Sequence, residues 1–159
     1  MEKNDLFRDT LLRYLGYSNE VGEAFRVVVS TKVVWFSYGV ATGYVISDAA
    51  DKAFQEYNKK SVSEEKRRTN SLITAFDALL WQGLASVVIP GFTINRICWA
   101  THHFLLNVNK IFKVSKQANK IITVATGLAS IPLIIKPIDH AVDYCLDNTI
   151  RPLVKTYDR

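Results

Sequence analysis

The chain has little of what usually marks a cross-linked or reactive protein. Its two cysteines, Cys98 and Cys145, are too few for a disulfide framework, and neither belongs to a Cys-x-x-Cys pair. Both sit among apolar neighbours, where a buried small hydrophobe is expected. Phosphate-binding glycine loops, the GxSxG elbow and the HExxH zinc signature are all missing. No catalytic residue, cofactor or metal is therefore expected. The opening Met-Glu-Lys-Asn-Asp has no apolar core of the kind a signal peptide needs and is too acidic for a typical cleaved transit peptide. If the protein enters an organelle, the address is expected to be internal.

Charge is present but segregated. Charged residues make up 22% of the chain and hydrophobic ones 48%, which argues against disorder and does not by itself demand a membrane. The charges crowd into residues 1–26, 52–68 and 110–120, and the stretches between them are nearly free of charge. The net charge of +5 sits on these connecting segments, and the run from Lys59 to Arg68 is interrupted by Glu64 and Glu65. No nucleic-acid partner is expected from a patch without an accompanying fold motif.

The apolar stretches have helical length and period, so the fold class expected is all-α: a small polytopic helical membrane protein with three or four spans plus amphipathic helices. Residues 1–26 form an N-terminal amphipathic segment, with Asp5 as the cap of a first helix, Gly16 as its stop, and Ser18 as the cap of the next. Glu20 and Glu23 then fall early in that second helix, where its dipole favours carboxylates. Residues 27–47, 72–92 and 121–138 are the apolar spans, and 97–112 is a weak fourth, diluted by His102, His103 and Asn107. Gly39 and Gly43 form a GxxxG pair that would permit close backbone approach. Asp77 lies near the start of its span, towards the interface. Ser61 with Glu64 offers a capping box, and Lys110, Lys113, Lys116 and Lys120 share a face suited to anionic headgroups or to water.

The stretch from Ala85 to Arg96 carries the strongest local signal. Pro90-Gly91 should break or kink the helix there, with Thr93 capping a restart that carries Asn95 and Arg96 in its first turn. Those two residues are the best polar candidates for a specific interaction, or the arginine simply snorkels to phosphates. Lys136-Pro137-Ile138-Asp139 closes the last span, and residues 139–159 follow as a C-terminal amphipathic helix. Its aspartates Asp139, Asp143 and Asp147 fall on one stripe, which suits a basic partner, a metal or plain solvation. An internal repeat is also suggested: Gly39-Val40-Ala41-Thr42, Gly83-Leu84-Ala85-Ser86 and Gly127-Leu128-Ala129-Ser130 recur at intervals of 44 residues. Lysine and arginine placement is self-consistent with four spans, both termini lying opposite the basic loops.

Several motifs are longer than chance allows. Arg13-Tyr14-Leu15-Gly16-Tyr17, the run from Asn19 to Arg26, Val34-Trp35, Ser37 to Ala41, Ile89 to Arg96 and Pro137-Ile138-Asp139 together resemble the mitochondrial fission process protein 1 family, also called the mitochondrial 18 kDa protein family. The similarity runs through most of the chain and weakens at 52–70 and 101–120. It implies a non-enzymatic integral protein of the mitochondrial inner membrane that promotes fission and controls network morphology, with the lipid bilayer and proteins of the division machinery as partners. It transfers no catalytic site. Two further readings stand beside this adaptor role: small-solute or ion transport, suggested by Asp77, Lys136 and Asp139 near membrane boundaries, and a soluble helical interaction domain.

Overall fold

The computed structural model describes residues 11–59, 63–108 and 115–157, and the side chains of 14–153 within them. Among these residues all regular structure is helical. A 3₁₀ segment, Leu11–Tyr17, leads into α1 (Ser18–Ala24), and a second short 3₁₀ turn, Phe25–Val27, ends it. The long helices follow: α2 (Thr31–Tyr57), α3 (Glu64–Gln82), α4 (Ile89–Val108) and α5 (Lys116–Asn148), with α6 (Ile150–Tyr157) last. Asp5 and Ser61, both expected as helix caps, lie outside the described residues, as do Lys110 and Lys113.

Pro90-Gly91 does not break the chain. α3 and α4 are one continuous rod, joined through a π-helical segment, Gly83–Val88, that ends two residues before the proline. A proline in an α-helix lacks the amide donor and collides with the carbonyl four residues back. The wider π turn lets the rod absorb that defect and continue. Thr93, expected as a restart cap, instead sits inside the helix and donates to the Ile89 carbonyl at 2.7 Å. Residues 97–112 are therefore not a separate span, because their described part is the second half of a rod that begins at Glu64.

Pro137 likewise fails to end its helix. α5 runs through Pro132 and Pro137 to Asn148, so the C-terminal helix expected at 139–159 is split between α5 and the short α6. Both prolines are exposed, on the side of α5 turned away from its neighbours, where the carbonyls they displace can tilt outward. Ser115 caps α5 by accepting the Ala118 amide at 3.1 Å. Ser18 is not a cap; its hydroxyl meets the Leu15 carbonyl at 2.8 Å and the Ser37 carbonyl of α2 at 2.9 Å.

α1 packs antiparallel to α2 and is enclosed on its other sides by α4 and α5. Two glycines set these distances. A Cβ on Gly22 would collide with the Ser37 hydroxyl, and one on Gly127 would lie 2.6 Å from the Cys98 sulfur and 2.9 Å from Ala24 Cβ. Gly39 and Gly43 play no such part, since both are exposed and a Cβ on either would meet nothing within 4 Å. Cys98 is buried in the small cluster with Ala24 and Ile94, whereas Cys145, expected to be buried, is exposed.

The distribution of polarity is unusual for a water-soluble protein. The seven largest fully buried side chains are Ile94, Glu20, Val34, Asn19, Thr123, Asp48 and Pro90, and four of them are polar. Outside stand Trp35, Phe36, Phe92, Phe104 and Leu133, each more than 60% exposed. Soluble proteins expose scattered apolar residues but seldom turn their aromatic side chains outward while burying carboxylates. Two helical stretches, Glu64–Val108 and Lys116–Leu153, are long and apolar enough to cross a bilayer, and little of their apolar length is buried inside the protein. α2 does not meet the same criterion, because Trp35, Ser37, Tyr38, Thr42 and Tyr44 dilute its hydropathy.

A polar core where three helices meet

The Pro90-Gly91 notch is where α1, α2 and α4 converge. A π segment leaves carbonyls outside the regular ladder, and the Val87 carbonyl there accepts from Asn19 Nδ2 at 3.0 Å. Gly91 makes room for this approach: a Cβ on it would strike the Tyr38 hydroxyl and stand 3.1 Å from Asn19 Nδ2. Proline and glycine thus create a socket on the flank of an unbroken rod.

Glu23 sits at the centre of the socket, almost wholly buried. Arg26 grips it with two hydrogen bonds of 2.6 Å, the Tyr38 hydroxyl donates at 3.0 Å, and Asn95 Nδ2 donates at 2.8 Å. Burial alone would raise this carboxyl, but the donors from Arg26, Asn95 and Tyr38 outweigh it and hold Glu23 below its usual range. Asn95 in turn accepts from Arg96 Nη2 at 2.6 Å, and the exposed guanidinium lies over Phe92 and Trp99. Of the pair expected to face partners, Asn95 faces inward and Arg96 faces out.

Two further polar groups tie the other end of the bundle. Asp48 of α2 pairs with Lys52 at 2.5 Å and accepts from Gln82 Nε2 at 2.8 Å, and Gln82 accepts from Ser86 at 2.7 Å. Arg151 of α6 bridges Asp77 of α3, at 2.8 and 3.1 Å, to Asp143 and Asp147 of α5, at 3.0 and 2.9 Å. The basic partner of Asp143 and Asp147 in the aspartate stripe is therefore an arginine of the same chain. Asp77 belongs to this ion-pair cluster and is not a lone carboxylate.

Glu20 is different in kind. It is fully buried, neither of its oxygens has a hydrogen-bond partner among the described residues, and it lies in the wall of a cavity of about 350 Å3 shared with Asp139. Burial, with a smaller contribution from the Asp139 charge, pushes its carboxyl up to about 8.

The site thus gathers Glu23, Pro90, Gly91, Asn95 and Arg96 in one place and Glu20 with Asp139 in another, while Gly39, Gly43 and Pro137 join neither. Arg151, Asn19, Tyr38 and Gln82 were missed as site residues. Arg151 could have been found, since it continues the four-residue spacing of Asp143 and Asp147. Asn19 and Gln82 carry no comparable signal. Among the described residues no three metal-binding side chains gather to hold an ion.

Comparison with known proteins gives one consistent result. The chain matches the family described as mitochondrial 18 kDa protein (MTP18) over residues 6–75 and 61–146. It is 47% identical over 154 residues to mitochondrial fission process protein 1 of Homo sapiens, covering 97% of this chain and 90% of that protein. The Caenorhabditis elegans protein of the same name is 48% identical over 151 residues, covering 95% and 89%. A protein of Acanthamoeba polyphaga mimivirus, R740, of uncharacterised function, is 31% identical over 140 residues, covering 85% and 71%. No solved structure matches.

Proposed function

The chain belongs to the mitochondrial 18 kDa protein family, and from that premise we propose that it is a multi-pass protein of the mitochondrial inner membrane that promotes fission and sets network morphology without catalysing a reaction. Relatives named for mitochondrial fission, matched over nearly their full length, support the role in fission. The placement of polar and aromatic side chains carries the membrane part of the reading: a bundle with carboxylates inside and tryptophan and phenylalanine outside is matched to lipid.

The mechanism consistent with this geometry is that of an adaptor. Lipid gives helices no hydrophobic reason to associate, so close glycine contacts and polar pairs must hold them. Those features are spent on docking α1 into the Pro90-Gly91 socket, with Arg96 left on the surface beside it. A partner in division would then meet a fixed surface built from α1 and α4. The transport reading loses its first motive, because Asp77 is clamped by Arg151.

Alkaline carbonate extraction of isolated mitochondria, with protease access to tags on both termini, tests the membrane placement. The protein should stay in the pellet, with any exposed tag cleaved only after the outer membrane is ruptured. Release into the supernatant would overturn it. For fission, depletion should elongate the network and re-expression should restore it; an unchanged network would refute the role.

A further inference from the structure

One stripe of the rod carries a charge that the fold does not answer. Val88, Phe92, Arg96, Trp99, His103 and Leu106 follow at steps of three and four residues, the spacing that sets side chains on one helix face, and all six are exposed. His103 stacks on Trp99, with ring centroids 4.3 Å apart. The Arg96 guanidinium lies 5.5 and 5.8 Å from the Phe92 and Trp99 ring centroids. It turns back on Asn95 Oδ1, with Nε at 3.1 Å and Nη2 at 2.6 Å. Glu23, beyond Asn95, is already gripped by Arg26. Among the described residues no carboxylate forms an ion pair with Arg96. The stripe is therefore apolar at both ends, with one unanswered positive charge between aromatic rings.

The register of α4 against α5 fixes the depth of that charge. Cys98 Sγ is 3.9 Å from the Thr123 carbonyl and lies against Gly127, while Ala85 packs with Val142 and Leu146. The two helices are thus antiparallel, and Arg96 stands about level with Gly127. Gly127 lies within residues 121–135 of α5, which carry no charge between Lys120 and Lys136. Lys120, the nearer bracket, is about 10 Å away along the axis. At the same level α2 is free of charge over residues 33–47, where Tyr38 meets Glu23. On the membrane reading above, from which this inference proceeds, that layer faces lipid and Arg96 points outward near its middle. Charged groups at such depth are paired rather than bare. An arginine near a span end snorkels to phosphate, but this one is far from both ends and is folded back on Asn95. A second copy brings no free acid to the level, because among the described residues Glu23 is taken by Arg26 and Glu20 is buried. We propose that this stripe of α4 receives a membrane-spanning helix of another protein, one that carries a carboxylate in the middle of its apolar stretch to pair with Arg96.

The test reconstitutes the full chain, with a donor fluorophore on the exposed Cys145, into phosphatidylcholine vesicles. Acceptor-labelled helical peptides of about 20 apolar residues are added, with Glu, Gln or Ala at their centre. Energy transfer should saturate with the Glu peptide, and affinity should fall about tenfold for the Ala peptide, the loss of one polar pair in lipid. Arg96→Gln should lose the preference for Glu, and Arg96→Lys should keep part of it. Arg96 is exposed, so both variants should fold, and circular dichroism checks that they have. Equal transfer from all three peptides, or an undiminished Glu preference in folded Arg96→Gln, overturns the proposal. Arg96-dependent transfer between labelled copies of the chain, without peptide preference, would give the face to a second copy and overturn it. An Arg96-dependent tryptophan response to added phosphatidylglycerol, again without peptide preference, would give the charge to lipid phosphate and overturn it too. Protein released from the vesicles by alkaline carbonate would sink the membrane reading and this proposal together. Inserted protein that ignores the peptide's charge would sink this proposal alone.

Discussion

Replacing Glu23 by alanine should be the most damaging single polar substitution in the protein. The side chain is 2% exposed and accepts four hydrogen bonds from three residues, on the 3₁₀ turn after α1, on α2 and on α4. Removing it leaves the Tyr38 hydroxyl and the Asn95 amide without an acceptor in a partly buried place and strands Arg26. Breaking a buried ion pair from one side costs about 3–5 kcal/mol. Arg26 is 39% exposed at its side chain, so water recovers part of its share, and about 3 kcal/mol is the expected loss. Glu23→Gln keeps the shape but loses the charge and should cost about half as much. A double-mutant cycle separates contact from scaffold: Glu23→Ala with Asn95→Ala should show about 1–2 kcal/mol of coupling. Glu23→Ala with a distant substitution on the far side of α5 should be additive. The pH sign follows from the depressed carboxyl: its stabilisation is present above the ordinary value of 4.5 and disappears as pH falls through its lowered folded value. The assay is reversible unfolding of the detergent-solubilised protein by added dodecyl sulfate, followed by circular dichroism. Glu23→Ala within 0.5 kcal/mol of the parent, or strict additivity with Asn95→Ala, would refute the socket as an energetic centre.

Glu20 should behave with the opposite sign. Its folded value, about 8, lies above the ordinary 4.5, so its protonated form favours the fold and stability should fall between those two pH values, by up to about 5 kcal/mol. Glu20→Gln should flatten that part of the profile, and superimposable profiles would contradict the burial argument. Gly127→Val should destabilise by about 2–4 kcal/mol, because Cys98 and Ala24 already stand where the side chain would go; Gly39→Ala, facing open space, should stabilise by about 0.5–1 kcal/mol. Equal effects at the two glycines would show that the helix contacts are misplaced. Arg151→Met should cost about 1–2 kcal/mol, since its three aspartate partners are 40–61% exposed, and the difference from the parent should shrink in high salt.

Helix content and the places of the apolar stretches were legible because an apolar run of helical period and adequate length has few alternatives. What was not legible is which stripe of each helix turns inward. Where large apolar side chains stand outside, the usual inference from hydrophobicity to core fails: Trp35 and Phe36 are outside, and Asn19, Glu20 and Asp48 are inside. The helix ends at Pro90 and Pro137 were misread because proline propensity describes an isolated α-helix. The π turn before Pro90 and the exposed flank around Pro137 supply what that rule omits. The importance of Ile89 to Arg96 was nevertheless visible, since a proline-glycine pair inside an apolar run is informative whether it breaks the helix or opens a socket on it.

The GxxxG pair Gly39/Gly43 and Gly127 show how the same local sign can mean different things. Each lies in an apolar helix, yet only Gly127 is pressed against a neighbour, with Cys98 and Ala24 filling the space over it. In lipid, van der Waals packing of small residues and interhelical hydrogen bonds are the forces available for association. Helices held that way should be joined wherever both occur together. They do so where α1 enters: Gly22, Gly91 and Gly127 admit it closely, and Asn19 and Glu23 secure it by hydrogen bonds to the π segment and to α4. α1 is short and starts from a 3₁₀ segment, so it has little helical stability of its own. Its order depends on the socket. The N-terminal segment should therefore be the first part of the fold to loosen when Glu23 or Gly127 is altered, while α3, α4 and α5 persist as apolar rods.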